Sequence, residues 1–118
     1  MERRLKRAEQ ILRDFALTFP EAWEDFPWGE RVIKVRKKIF AIMGEADGAL
    51  QVTGKLTMSL GEASLMPFAK PTGYGLGKAG WMTARFEKGE EPLVDLMKAW
   101  ITESYRNIAP KTLAAKLD

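Results

Sequence analysis

The stretch Val32-Ile33-Lys34-Val35-Arg36-Lys37-Lys38-Ile39-Phe40-Ala41-Ile42-Met43 decides the fold. Val32, Ile33 and Val35 are β-branched, and Lys34 interrupts them as a half-buried strand would. Arg36-Lys37-Lys38 is a polar turn. Ile39 to Met43 returns as a second apolar strand, so residues 31–43 read as a β-hairpin. Gly44-Glu45-Ala46-Asp47-Gly48 is a second turn. Ala49-Leu50-Gln51-Val52-Thr53 alternates as a third strand, closed by Gly54. Turns this short join antiparallel strands.

Upstream, Leu5, Ala8, Ile11, Leu12, Phe15, Ala16 and Phe19 recur at spacings of three and four. That stripe predicts an amphipathic helix over 2–19, ended by Pro20. The connector 21–29 holds Trp23, Phe26 and Trp28 and has room for an irregular edge strand, where Pro27 is tolerated. Downstream, residues 59–66 read as a short helix, with Ser59 and Glu62 forming a capping box and Pro67 stopping it. Residues 67–80 form a long loop rich in proline and glycine, and Gly80 to Phe86 is the last strand. Pro92 fits the first turn of a helix running to about Tyr105. Its stripe is Leu93, Leu96, Met97, Trp100 and Ile101. Asn107-Ile108-Ala109 breaks it, and Pro110 opens a final short helix through Leu117. This order predicts one α+β domain over 1–118: a two-layer, mainly antiparallel sheet with helices packed on one face. Trp23, Trp28, Trp81 and Trp100 are all expected in the core.

Two absences narrow the chemistry. The 118 residues contain no cysteine and no histidine. Disulfides, thiolate nucleophiles, zinc–thiolate sites, histidine-based triads and histidine-ligated metals are therefore excluded. The acidic cluster Glu21, Glu24, Asp25 and Glu30 lacks metal-loop spacing. Glu103-Ser104-Tyr105 forms no acid/base pair and reads as solvated surface or local capping. No catalytic residue, metal or cofactor is expected. No stretch is apolar over the ~20 residues of a membrane span. The basic start, Met1 to Arg7, leads to no apolar signal core, so the expected address is the cytoplasm.

Charge is unevenly placed. Lys+Arg number 19 and Asp+Glu 16, a net of +3. Residues 1–30 carry 5 basic and 7 acidic side chains, residues 31–85 carry 9 and 3, and residues 86–118 carry 5 and 6. The middle segment is thus at +6 between two weakly acidic flanks. Such a patch suits an anionic polymer. Its densest part is Arg31, Lys34, Arg36, Lys37 and Lys38, five cations in eight residues. On a hairpin they make either a wing for a phosphate backbone or a charged rim that guards a sheet edge.

Gly73-Tyr74-Gly75-Leu76-Gly77-Lys78 hints at a nucleotide loop. Its glycines are misspaced for a phosphate loop, Ala79 stands where Ser or Thr would hold magnesium, and a strand follows instead of a helix. It reads as a surface loop whose Lys70 and Lys78 can lie against phosphates. Trp81, Thr83 and Arg85 share one face of the last strand. The candidate nucleic-acid-binding residues are therefore Lys34, Arg36, Lys37, Lys38, Lys70, Lys78 and Arg85.

Several motifs in order resemble one family. Phe26-Pro27-Trp28-Gly29, the Lys34–Met43 hairpin, Tyr74-Gly75 through Gly80-Trp81, and Glu103-Ser104-Tyr105 are together similar to the MmcQ/YjbR family of small bacterial proteins. The resemblance covers nearly the whole chain. It implies an α+β fold like that of secretion chaperones and the frataxin-like class, and DNA binding through two wings. By position, the wings would be Arg36-Lys37-Lys38 and the loop from Lys70 to Lys78. DNA bound through its phosphates, with weak sequence preference, is the expected partner. The alternative is a protein-interaction module, shaped like a secretion chaperone and without catalytic activity.

Overall fold

A computed structural model describes all 118 residues. Helix α1 spans Arg3–Ala16 and is followed by strands β1 (Ala22–Asp25), β2 (Arg31–Val35), β3 (Lys38–Ala46) and β4 (Ala49–Lys55). Helix α2 (Leu60–Ser64), strands β5 (Ala69–Pro71) and β6 (Trp81–Phe86), and helices α3 (Val94–Ile108) and α4 (Lys111–Ala114) complete the chain. The six strands form one antiparallel sheet in the order β1-β2-β3-β4-β6-β5. Helices α1 and α3 pack on one face. The expected α+β architecture is the one observed.

The apolar alternation builds the core. Ile33, Val35, Ala41, Met43, Leu50, Val52, Met82, Ala84 and Phe86 point at the helices and are buried. They meet Leu5, Ala8, Leu12 and Ala16 of α1 and Met97, Trp100, Ile101 and Tyr105 of α3. Full burial of one such side chain contributes about 2 kcal/mol. Rings of Phe19 and Phe40 lie 4.8 Å and 5.1 Å from that of Tyr105, and its hydroxyl donates to the Pro20 carbonyl at 2.7 Å.

Several expected boundaries move. The hairpin turn is tighter than a three-residue turn: Val35 pairs with Lys38, so Lys38 belongs to β3. Gly44 to Ala46 continue that strand, and the next turn is only Asp47-Gly48, both with positive φ. The 67–80 loop contains β5 and a 3₁₀ turn, Leu76–Ala79. Helix α3 runs through Asn107 to Ile108, because Asn107 is held from outside the helix: its Nδ2 donates to the Lys55 carbonyl at 2.8 Å. The Ser59 capping box does not form. Ser59 instead donates Oγ–H to Glu103 at 2.6 Å, so a carboxylate from another helix takes the capping role.

The tryptophans also divide differently. Trp100 is buried, whereas Trp23 is 42% and Trp28 81% exposed and Trp81 is half-buried. Trp23 lies on an edge strand and Trp81 sits on the parity opposite Met82 and Ala84, so both face away from the helices. Trp28 lies in a loop.

Candidate functional site

No helix packs on the sheet face opposite α1 and α3. Register brings Trp23 and Lys34, Ile42, Gln51 and Thr53, and Trp81, Thr83 and Arg85 onto it, with Lys70 opposite Thr83 on β5. Lys55 lies opposite Trp81 on the same face. Its floor carries a chain of hydroxyls: Thr53 to Thr83 at 2.8 Å and Thr83 to Thr72 at 3.0 Å.

The candidate cations fall into two groups. Lys34 donates to Asp25 at 2.8 Å and lies 5.0 Å from the Trp23 ring centre. Arg36 bridges Glu21 at 3.2 Å. The Trp23 indole N–H donates to the Arg36 carbonyl at 2.8 Å, so strand β1 ties down the base of the hairpin. The Lys34 ammonium and the Phe26 amide hold the Asp25 carboxyl below its ordinary range, and Arg36 does the same to Glu21. Arg85 reaches Glu87 at 3.4 Å. Lys37, Lys38, Lys70 and Lys78 are exposed and have no carboxylate within bridging distance.

The pairing registers also fix which loops are neighbours. Ile42 opposite Thr53, Lys55 opposite Trp81 and Met82 opposite Pro71 put the Arg36-Lys37 turn and the 72–80 loop at the same end of the sheet. Strands β2 and β5 are four strand spacings apart, about 19 Å. The two loops that sequence singled out as wings therefore flank one end, and Lys70 and Arg85 sit further inward on the open face.

The glycine loop is shaped by packing. A Cβ on Gly80, whose φ is +96°, would fall 2.5 Å from the Leu56 carbonyl oxygen. One on Gly77 would fall 2.6 Å from Pro71 Cβ. Gly80 C=O also accepts the Leu56 amide at 2.9 Å, fastening the loop to the segment after β4. Between them, Gly73 C=O accepts the Leu76 amide at 3.2 Å around Tyr74 and Gly75, both left-handed. An aromatic residue in that conformation costs about 1 kcal/mol relative to Gly or Asn. The Tyr74 side chain is fully exposed.

The loops roof part of the open face. Trp28 from one side and Tyr74 and Leu76 from the other line a hollow of about 590 Å³ floored by Ile42, Gln51, Thr53 and Thr83. A second hollow of about 710 Å³ shares Gln51 and Thr83 with the first and is lined by Lys70 and Arg85 together with Glu87, Glu90 and Glu91. The sequence reading missed Trp28, Gln51 and Tyr74 as site residues. For Trp28 and Tyr74 the signal was an aromatic in each of two turn-rich segments; Gln51, inside β4, gave none.

Glu103-Ser104-Tyr105 belongs to a different structure. Ser104 is fully buried; its Oγ accepts the Lys55 amide at 2.8 Å and donates to the Phe40 carbonyl at 2.6 Å. Pairing of β2 with β3 skips Phe40, a bulge, and Ser104 partners the group left there. Glu103 accepts the Thr57 and Ser59 amides at 2.7 and 3.1 Å. Burial opposes its ionisation, yet hydrogen bonds from Ser59, Thr57 and Met58 outweigh it and hold the carboxyl below its ordinary range. These residues join elements rather than face solvent, which corrects the surface reading. No cluster of three or more acidic side chains is arranged to hold a metal ion, and no helix is long and apolar enough to cross a membrane.

Comparison with known proteins adds the family. Among solved structures, the chain is similar to the crystal structure of Deinococcus radiodurans protein DR2400, which carries the DUF419 domain. The TM-score is 0.69 at 25% identity, over 92% of this chain and 86% of that one. No curated protein matches. The YjbR family model matches residues 17–107, from the end of α1 through the Ser104 hub, and on that span the chain belongs to the YjbR family.

Proposed function

We propose that this protein binds DNA through its phosphate backbone, using the hairpin and the glycine/lysine loop as two wings. The observation that carries the reading is the group of four exposed, unbridged lysines, Lys37, Lys38, Lys70 and Lys78, on the hairpin, on β5 and in the loop. A cation with no internal partner is free to displace counterions from phosphate. Arg36 joins them readily, since its bridge to Glu21 is exposed and such bridges are weak. Lys34 contributes field while bracing β1, and Arg85, paired with Glu87, lies further inward. The assigned cations contact phosphates rather than base edges, so sequence preference is weak.

Fluorescence anisotropy of labelled random-sequence duplex at several salt concentrations tests this. The slope of log affinity against log salt should be about −0.9 per phosphate contacted. Replacing Lys37, Lys38, Lys70 and Lys78 together by alanine should flatten it. An unchanged slope removes the assigned surface.

The second reading, a protein-interaction module without catalysis, is favoured by Met58 and Leu65, which bracket α2 at 92% and 86% exposure. A partner captured through Met58 and Leu65, insensitive to nuclease and lost on their replacement by serine, would favour it.

A further inference from the structure

We infer that the hollow lined by Trp28 and Tyr74 binds a small organic amine in its ammonium form. The inference goes beyond the phosphate reading and concerns a ligand of the opposite charge. No basic residue lines this hollow, and its charged groups are the carboxylates of Glu30 and Glu45. Glu45 is committed, since it accepts the Met1 ammonium at 3.0 Å. Glu30 is exposed, and its carboxylate has no partner within the chain. Register sets its direction. Arg31 lies opposite the core residue Met43 and reaches Glu9 of α1 at 3.1 Å, so it points to the helices. Side chains alternate along a strand, which turns Glu30 to the other face with Ile42, on the floor of the hollow.

The chain itself shows what an indole beside a carboxylate takes. Trp23 and Asp25 hold the Lys34 ammonium between them, 5.0 Å from the ring centre and 2.8 Å from the carboxylate. Trp28 and Glu30 repeat that order and spacing, indole then carboxylate two residues on. No lysine or arginine of the chain stands over Trp28 or bridges Glu30. Trp28 is 81% exposed and Tyr74 fully so, and neither contributes to the core. Their ring faces are open to a cation, which the ring quadrupole attracts. The volume of about 590 Å³ suits a metabolite-sized ligand. The Gln51 carboxamide lines the hollow without a hydrogen bond of its own, and its oxygen adds an acceptor for N–H groups. Acceptors favour a primary amine over a fully alkylated nitrogen. The same carboxylates repel an anion.

NMR titration of the full isotope-labelled chain with butylammonium tests the assignment. The amide resonances of Gly44 and Gly73, which line the hollow, should shift and saturate in the millimolar range. Trp28→Ala should weaken affinity roughly tenfold, the size of one cation–π contact. Glu30→Gln should weaken it by up to about fivefold, as for an exposed ion pair. Both side chains are exposed, so the variants fold. Butanol, the neutral molecule of the same shape, should leave the resonances in place. Equal saturation by butanol overturns the inference, as does unchanged affinity in both variants or the absence of any shift with butylammonium. Tighter saturation by tetramethylammonium overturns the primary amine. A lysine side chain carries the same group: saturation by a terminally blocked lysine at far lower concentration overturns the free amine in favour of a protein partner. No nucleic acid is present, so failure here leaves the phosphate reading standing.

Discussion

At the end of α3, Glu103, Ser104, Tyr105 and Asn107 hold backbone groups of the 57–59 segment, Phe40, Lys55 and Pro20. On the open sheet face and in the glycine loop, the side chains of Gln51, Lys70, Tyr74 and Lys78 hold nothing within the protein. Both regions are polar and both lie within the span that the family model matches. The difference lies in satisfaction. A buried polar group must be partnered, so the hub is committed to folding. An exposed polar or aromatic group with no internal partner is available to a ligand. The contrast teaches that a recognisable motif locates function only after its hydrogen bonds are known.

The sharpest way to break this contrast is at the hub. Ser104→Ala leaves the Phe40 carbonyl and the Lys55 amide without their partner, and should cost about 2–4 kcal/mol in urea unfolding. A loss below about 0.5 kcal/mol would show that the hub is no more committed than the surface. Gly80→Ala, which drives a Cβ into the Leu56 carbonyl, should cost about 2 kcal/mol and lower Tm.

Acid extends the test to charge. Glu103 and Glu24 both ionise more readily in the folded chain than at the ordinary value of 4.5. For Glu24 the main cause is its hydrogen bond from Arg13, with Arg31 adding attraction. A depressed folded pKa stabilises above the unfolded value and is lost as pH falls through the folded one. Tm should therefore hold down to about pH 5 and drop below 4.5, and Glu103→Gln should shrink the drop.

The open face should behave in the opposite sense. Tyr74→Asn relieves the left-handed strain and should raise stability by up to about 1 kcal/mol, read as a higher Tm. Lys37→Ala with Lys78→Ala should change unfolding free energy by no more than about 0.5 kcal/mol. Their effect should appear only in the salt dependence of DNA affinity.

The periodicities of α1 and of the strands from Val32 to Thr53 were legible because they record local rules: 3.6 residues per helical turn and two per strand repeat. Short turns made the antiparallel order legible too. The ends were less so. Residues 44–46 resemble a turn in composition, yet pairing with β4 carries them into β3, and Asn107 stays helical because Lys55 offers it a carbonyl. Lys37, Lys38, Lys70 and Lys78 were marked by charge alone, which sequence displays openly. Whether a cation is already paired was not visible: Lys34 and Arg36 look like their neighbours until β1 folds against them with Asp25 and Glu21.

By itself, then, the sequence determined the class of fold, the basic middle of the chain and the exclusion of histidine and cysteine chemistry. These follow from composition and from interactions a few residues long. Only the tertiary structure decided that Ser104 spans a bulge, that Trp28 and Tyr74 line one hollow, and that the hairpin and glycine loop share one end of the sheet. Each depends on strands distant in sequence coming into register, and register is set by the burial of a whole sheet face rather than by any one segment.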